Sequence, residues 1–70
     1  MIKRNSRNIG RVVRINLPRT VYHNRIGKVV EFRGDREKGD PWVEVFLYDR
    51  KDRKTGSVWP FSGGVLIRTK

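Results

Sequence analysis

The first regular pattern along the chain begins after Gly10. Val13, Ile15 and Leu17 are apolar and alternate with Arg14 and Asn16, the period of two expected of a strand with one buried face. Pro18 ends this strand, and residues 18–25 read as a loop. A second strand is predicted from Ile26 to about Arg33. Gly34 and Gly39 bracket a charged turn, Asp35-Arg36-Glu37-Lys38, which Asp40-Pro41 ends. In the third strand Val43, Val45 and Leu47 fall on one side, and Trp42, Glu44, Phe46 and Tyr48 on the other. Asp49 to Gly56 is a polar hairpin loop, and Ser57-Val58-Trp59 a short fourth strand. Pro60 to Gly64 reads as a turn holding one 3₁₀ turn, and Val65 to Arg68 as a fifth strand. Residues 1–9 lack periodicity and read as a basic N-terminal arm, mobile or docking, ahead of a domain over 10–70.

Five short strands with no helix of three turns predict an all-β fold. The expected architecture is a small five-stranded antiparallel SH3-like barrel, closed or nearly so. An OB-fold is the alternative, but it usually needs more residues. The strands should close around Val13, Ile15, Val29, Val43, Val45, Leu47, Phe61 and Leu66. Composition agrees: nine Val and five Ile stand against three Leu and no Ala. β-branched side chains lose rotamer freedom in helices and pack well on pleated sheets.

Charge changes the picture more than composition does. Seventeen Lys and Arg against seven Asp and Glu give a formal net charge of +10. Residues 1–30 hold eight basic side chains and no acid, so the excess lies in the first half. A field of that sign attracts nucleic acid, anionic lipid or an acidic protein. The chain has no cysteine and one histidine, which excludes a disulfide framework and Cys- or His-rich metal patterns. No apolar run approaches the roughly 18 residues of a spanning helix. The basic start is not followed by the apolar region of a cleaved secretory signal.

Catalysis finds little to stand on. His23 lies in a loop beside Arg25. Asp49 and Asp52 sit among Arg50, Lys51, Arg53 and Lys54, the usual composition of a solvated turn. No set of side chains fills the roles of nucleophile, base and stabiliser, so no enzyme activity and no cofactor are expected. Asn24-Arg25-Ile26-Gly27-Lys28-Val29 runs from a loop into a strand through a glycine. It is similar to the entry of the KOW motif, an SH3-like element of ribosomal and transcription proteins, although barrel geometry explains the glycine better than a ligand contact does. Trp42, Phe46 and Tyr48 on the outer face of the third strand form a candidate platform for stacking bases. Partial burial or a protein interface are the alternatives. Arg33-Gly34-Asp35 spells an integrin-binding tripeptide but reads as a turn.

One stretch resembles a known family. Gly10, Val13-Arg14-Ile15, Pro18, Tyr22, Asn24, Ile26-Gly27 and Val29 follow, without a gap, the order found at the start of the photosystem I PsaE family (reaction-centre subunit IV). Met1-Ile2-Lys3-Arg4 is similar to that family's short basic start. Pro41-x-Val43 and the Phe61 turn before Val65 and Leu66 resemble its later strands. Val21-Tyr22-His23 also resembles, locally, the variable chain of ferredoxin–thioredoxin reductase. The family's basic residue in the third strand is replaced here by Val45, and its acidic pair near the last strand by Gly63-Gly64.

The resemblance implies an SH3-like barrel without cofactor or catalysis, peripheral on the cytoplasmic or stromal side of a photosynthetic membrane. Its partners would be other photosystem I subunits and an acidic carrier, ferredoxin or flavodoxin. On that reading Arg4, Arg7, Arg11 and Arg14 are candidate anchors to the complex, since guanidinium forks pair with carboxylates through two bonds. Arg36, Lys38, Arg50, Lys51, Arg53 and Lys54 are candidate carrier contacts in two loops. The alternative is a KOW-like basic barrel in the cytoplasm that binds RNA or the ribosome, with Trp42 as the stacking residue.

Overall fold

The computed structural model describes residues 1–52 and 54–69. The strands are β1 (Val12–Ile15), β2 (Ile26–Glu37), β3 (Asp40–Tyr48), β4 (Gly56–Ser62) and β5 (Leu66–Arg68), with 3₁₀ turns at Ser6–Asn8 and Gly63–Val65. All neighbours pair antiparallel in one sheet of order β4-β3-β2-β1-β5. The all-β class and the five antiparallel strands therefore form as the alternation predicts.

Closure of the barrel does not. No ladder joins β4 to β5 among the described residues. β5 is three residues long and pairs through its whole length with β1. The Gly63–Val65 turn carries the chain across the opening between the two edges. The first residues reach this turn: the Ile2 amide donates to the Gly63 carbonyl at 2.9 Å.

The core lies on the concave face. Val13 and Ile15 of β1, Val29 of β2, Val43, Val45 and Leu47 of β3, Phe61 of β4 and Leu66 of β5 are all buried, as the alternation requires. Ile2 joins them at 1% exposure. Residues 1–9 are therefore packed on the sheet through an apolar anchor.

Two local features shape the sheet. A bulge at Val30 breaks the register between the pairs Val29↔Val45 and Glu31↔Glu44. One extra residue shifts the side-chain parity of everything after it, so Phe32 turns inward and packs against the core. At Gly27 a Cβ would lie 2.5 Å from Val45 Cγ1 and 2.7 Å from the Phe46 carbonyl oxygen. Only glycine lets β2 approach β3 so closely.

Several predicted boundaries move. β2 continues through Gly34 to Glu37, and the reversal falls at Lys38-Gly39, where Gly39 has a φ of 78°. The charged residues 35–37 therefore belong to a strand. Pro60, Phe61 and Ser62 continue β4, and the 3₁₀ turn begins one residue later, at Gly63. Proline is tolerated in β4 because that strand is an edge, where a missing N–H costs no ladder bond. It also blunts the edge against pairing with another chain.

Candidate functional site

The first functional feature is a cationic concavity at the start of β1. Lys3, Arg7 and Arg11 line it together with Arg68 from the end of β5. Asn5 and Asn8 complete its polar wall, and among the described residues no carboxylate lines it. The fold builds this cluster by two means. Ile2 pins the first residues to the sheet, and the β1–β5 ladder pairs Val13 with Arg68, which brings the last strand beside Arg11. Local hydrogen bonds fix the wall: Asn5 caps the 3₁₀ turn by accepting the Arg7 amide, and Asn8 accepts from Arg11 Nε at 3.0 Å.

The four anchor candidates of the basic half do not act together. Arg7 and Arg11 share the concavity. Arg4 turns away from it, donating to Asp35 Oδ1 at 2.9 Å and to the Arg33 carbonyl, with its guanidinium 5.7 Å from the centre of the Phe32 ring. Arg14 donates to Asn24 Oδ1 at 2.9 Å. That bond spans β1 and the loop where Asn24 takes a φ of 64°.

The loop candidates separate likewise. Arg36 is held by Asp40 and Glu37 at 3.0 and 2.9 Å. Lys38 sits at the β2–β3 reversal, with no ion pair among the described residues. Arg50, Lys51 and Lys54 belong to the β3–β4 loop, where Asp49 and Asp52 accept the amides of Lys51 and Lys54. Arg53 lies outside the described residues. The two groups stand at opposite ends of β3, whose nine residues span about 26 Å, so they do not form one patch.

The aromatic face is also rearranged. Trp42, Phe46 and Tyr48 do share the outer side of β3, but Phe46 and Tyr48 pack edge-to-face on each other, 5.6 Å between centroids at 74°. Trp42 instead borders an apolar groove of about 440 Å³, together with Tyr22, Pro60, Phe61 and Arg36. Tyr22 stands edge-on to Phe61 at 5.4 Å and tilted against Trp59 at 6.3 Å. The indole N–H of Trp59 donates to Ser57 Oγ at 2.7 Å, which fixes the ring. Trp42 and Trp59 remain 39% and 46% exposed.

Asp40 holds one wall of this groove. Its carboxylate accepts from Ser62 Oγ at 2.7 Å, from the Gly64 amide at 3.0 Å and from Arg36. The Ser62 hydroxyl is the main reason its pKa lies below the ordinary 3.8. Desolvation opposes that effect, and Arg36 and the Gly64 amide reinforce it. His23 has a structural partner: its Nδ1 accepts the Leu17 amide at 3.1 Å, closing the loop between β1 and β2. Among the described residues no three His, Asp or Glu side chains converge as a metal site, and no helix is long and apolar enough to cross a membrane.

Sequence reasoning missed Lys3 and Arg68 in the concavity, and Tyr22, Trp59 and Phe61 as members of one aromatic row. Arg68 stands 57 positions from Arg11. Only the pairing of the first and last strands, implicit in an SH3-like topology, could have signalled it.

No family model, no curated protein and no solved structure matches the chain.

Proposed function

We propose that this chain is a non-catalytic docking subunit that holds an acidic protein surface in its cationic concavity. The resemblance to the PsaE family gives the proposal its specific form. The chain binds peripherally to photosystem I on the electron-acceptor side, stabilises the complex and assists the approach of ferredoxin or flavodoxin. The observation that carries the reading is the convergence of Lys3, Arg7, Arg11 and Arg68 on one hollow that no carboxylate of the described residues lines. None of these four side chains is in an ion pair among the described residues, whereas Arg4 and Arg36 are paired with carboxylates of the chain itself.

Under this reading the β3–β4 loop, with Arg50, Lys51 and Lys54, faces the soluble carrier. A field of one sign raises association rates by roughly 10–10³ and weakens with salt. The proposal is tested with purified photosystem I depleted of its peripheral subunits. The wild-type chain should rebind at low salt, and Arg7→Glu with Arg11→Glu should not. Arg50→Glu with Lys54→Glu should rebind but slow carrier reduction. Failure of the wild-type chain to rebind refutes the photosystem form.

The resembling residues themselves have fold-level duties. Val13, Ile15 and Val29 fill the core, Gly27 permits the β2–β3 approach, and Gly10 and Asn24 take positive φ. They support the barrel-like architecture more directly than the partner. A second reading is therefore kept, favoured by the exposed Trp42 on the outer side of β3: a KOW-like module binding RNA or the ribosome.

A further inference from the structure

We propose that the cationic hollow at the start of β1 binds a compact oligophosphate anion, held by Lys3, Arg7, Arg11 and Arg68. The site is the one the docking reading uses, and a soluble ligand in it would compete with the docked protein.

The hollow has the size of a small-ligand site and a lining suited to an anion. Its volume is about 470 Å³, within the roughly 300–1,000 Å³ of ligand pockets. Apart from Met1, every lining side chain is a cation or a carboxamide. Separate segments bring the charges in: the first residues carry Lys3 and Arg7, Arg11 directly precedes β1, and Arg68 ends β5. None is in an ion pair among the described residues. Four like charges drawn together repel one another, and a compact anion among them relieves that repulsion.

Arg11 makes the demand specific. It is half-buried, and its Nε donates to Asn8 Oδ1 at 3.0 Å. A guanidinium taken partly out of water calls for a negative partner. Asn8 occupies Nε and leaves both Nη groups for a ligand. Its Nδ2 donates to the Lys3 carbonyl at 2.8 Å, so one carboxamide fixes the first residues and aims the arginine. Aspartate would accept from Nε equally well and would pair with Arg11, and it caps a helical turn as well as Asn5 does. The chain carries the neutral amide at both places, which leaves the positive charge uncompensated.

Phosphate meets this demand better than carboxylate. A carboxylate carries one charge on two oxygens, and a single guanidinium fork satisfies it. A terminal phosphate carries about −1.5 to −2 at neutral pH on three acceptor oxygens. Linked phosphates add charge in little space, and forks arriving from different segments can share them.

The test is isothermal titration calorimetry of the full chain at low salt with inorganic tripolyphosphate, ATP and hexaglutamate. Tripolyphosphate should bind at one site per chain and raise the melting temperature. Arg11→Gln and Arg68→Gln should each weaken it by about tenfold, the order of one charge-assisted contact. Asn8→Asp keeps an acceptor for Arg11 but sets a carboxylate beside it, and should weaken binding at least as much. Lys51→Gln with Lys54→Gln alters a loop that lines no part of the hollow and should leave the affinity nearly unchanged. Arg68→Gln should melt at or above the wild type, because it relieves repulsion in the empty site. Equal affinity for ATP and tripolyphosphate identifies the phosphate chain alone as the ligand, and tighter ATP binding identifies a nucleotide as its source.

No heat and no melting shift with either phosphate compound overturns the proposal and leaves the docking reading standing. Hexaglutamate binding as tight as tripolyphosphate overturns the phosphate assignment in favour of an acidic protein. A loss in Lys51→Gln with Lys54→Gln equal to that in Arg11→Gln reveals diffuse attraction to the whole chain and overturns the site. An Arg68→Gln chain that melts well below the wild type assigns the cluster to stability and overturns it as well.

Discussion

Replacing Ile2 by alanine should destabilise the whole domain, although Ile2 is the second residue and sits in a basic, aperiodic segment. Its side chain is 1% exposed and belongs to the core cluster drawn from all five strands. Removing the outer carbons of a buried Ile costs about 2–5 kcal/mol, combining lost transfer free energy with the cavity left behind. A chain of 70 residues has a total stability of roughly 3.5–10 kcal/mol. The substitution therefore removes a large fraction of it. At roughly 4–8 °C per kcal/mol for a domain of this size, a loss of about 3 kcal/mol lowers the melting temperature by about 12–24 °C. Thermal unfolding followed by circular dichroism, paired with urea titration, measures both quantities. Ile9→Ala is the matched control: Ile9 is 43% exposed and should change stability by less than about 0.5 kcal/mol. If Ile2→Ala melts like Ile9→Ala, the first residues are not anchored in the core. The placement of Lys3 and Arg7 beside Arg11 then loses its basis.

Val45→Asp should abolish cooperative unfolding at ambient temperature, because Val45 is fully buried between Val29 and Trp59 and among the described residues no cation lies in the core to pair with the new charge; a native-like melt contradicts the core assignment. Gly56→Ala should destabilise strongly without changing surface charge, since its Cβ would collide with the Leu47 carbonyl oxygen of the paired strand; equal urea midpoints contradict that register. Asp40 has its folded pKa below 3.8, so its contribution is fully present above pH 3.8 and is lost as pH falls through the folded value. Asp40→Asn should accordingly melt below the wild type at neutral pH and converge with it in strong acid, and a gap that stays constant with pH contradicts the assigned role. His23→Ala should leave partner binding intact and loosen only the β1–β2 loop, where amide exchange of Leu17 should accelerate.

How much of this was legible in the sequence follows from the range of each interaction. The inward alternation of Val13 and Ile15, and of Val43, Val45 and Leu47, is a local signal with period two, and each of these residues is buried. The bulge at Val30 leaves no such mark. It inserts one residue, and the pattern after it reads as polar because Asp35, Arg36 and Glu37 extend a strand beyond the sheet's buried surface. Gly34 and Pro60 read as breakers in the sequence, yet both lie inside strands, Pro60 on an edge that needs no donor from it. Ile2 carried no periodicity to announce it, since a single apolar residue can be anchored only by the turn it meets 61 positions later. The candidate site depended on such long-range contacts throughout. Charge density in the first half was visible, but which arginines pair with Asp35 or Asn24 and which remain in an unopposed hollow is decided by strand pairing.

The most direct test of the docking proposal is affinity purification of the tagged chain from its source cells at low salt, with bound pigment and bound RNA measured spectrophotometrically, in the wild type and in Arg7→Glu with Arg11→Glu. The account predicts that a chlorophyll-containing complex accompanies the wild-type chain and is lost from the double variant, whose melting temperature stays at the wild-type value. Pigment retained equally by both forms, or none with either, contradicts it.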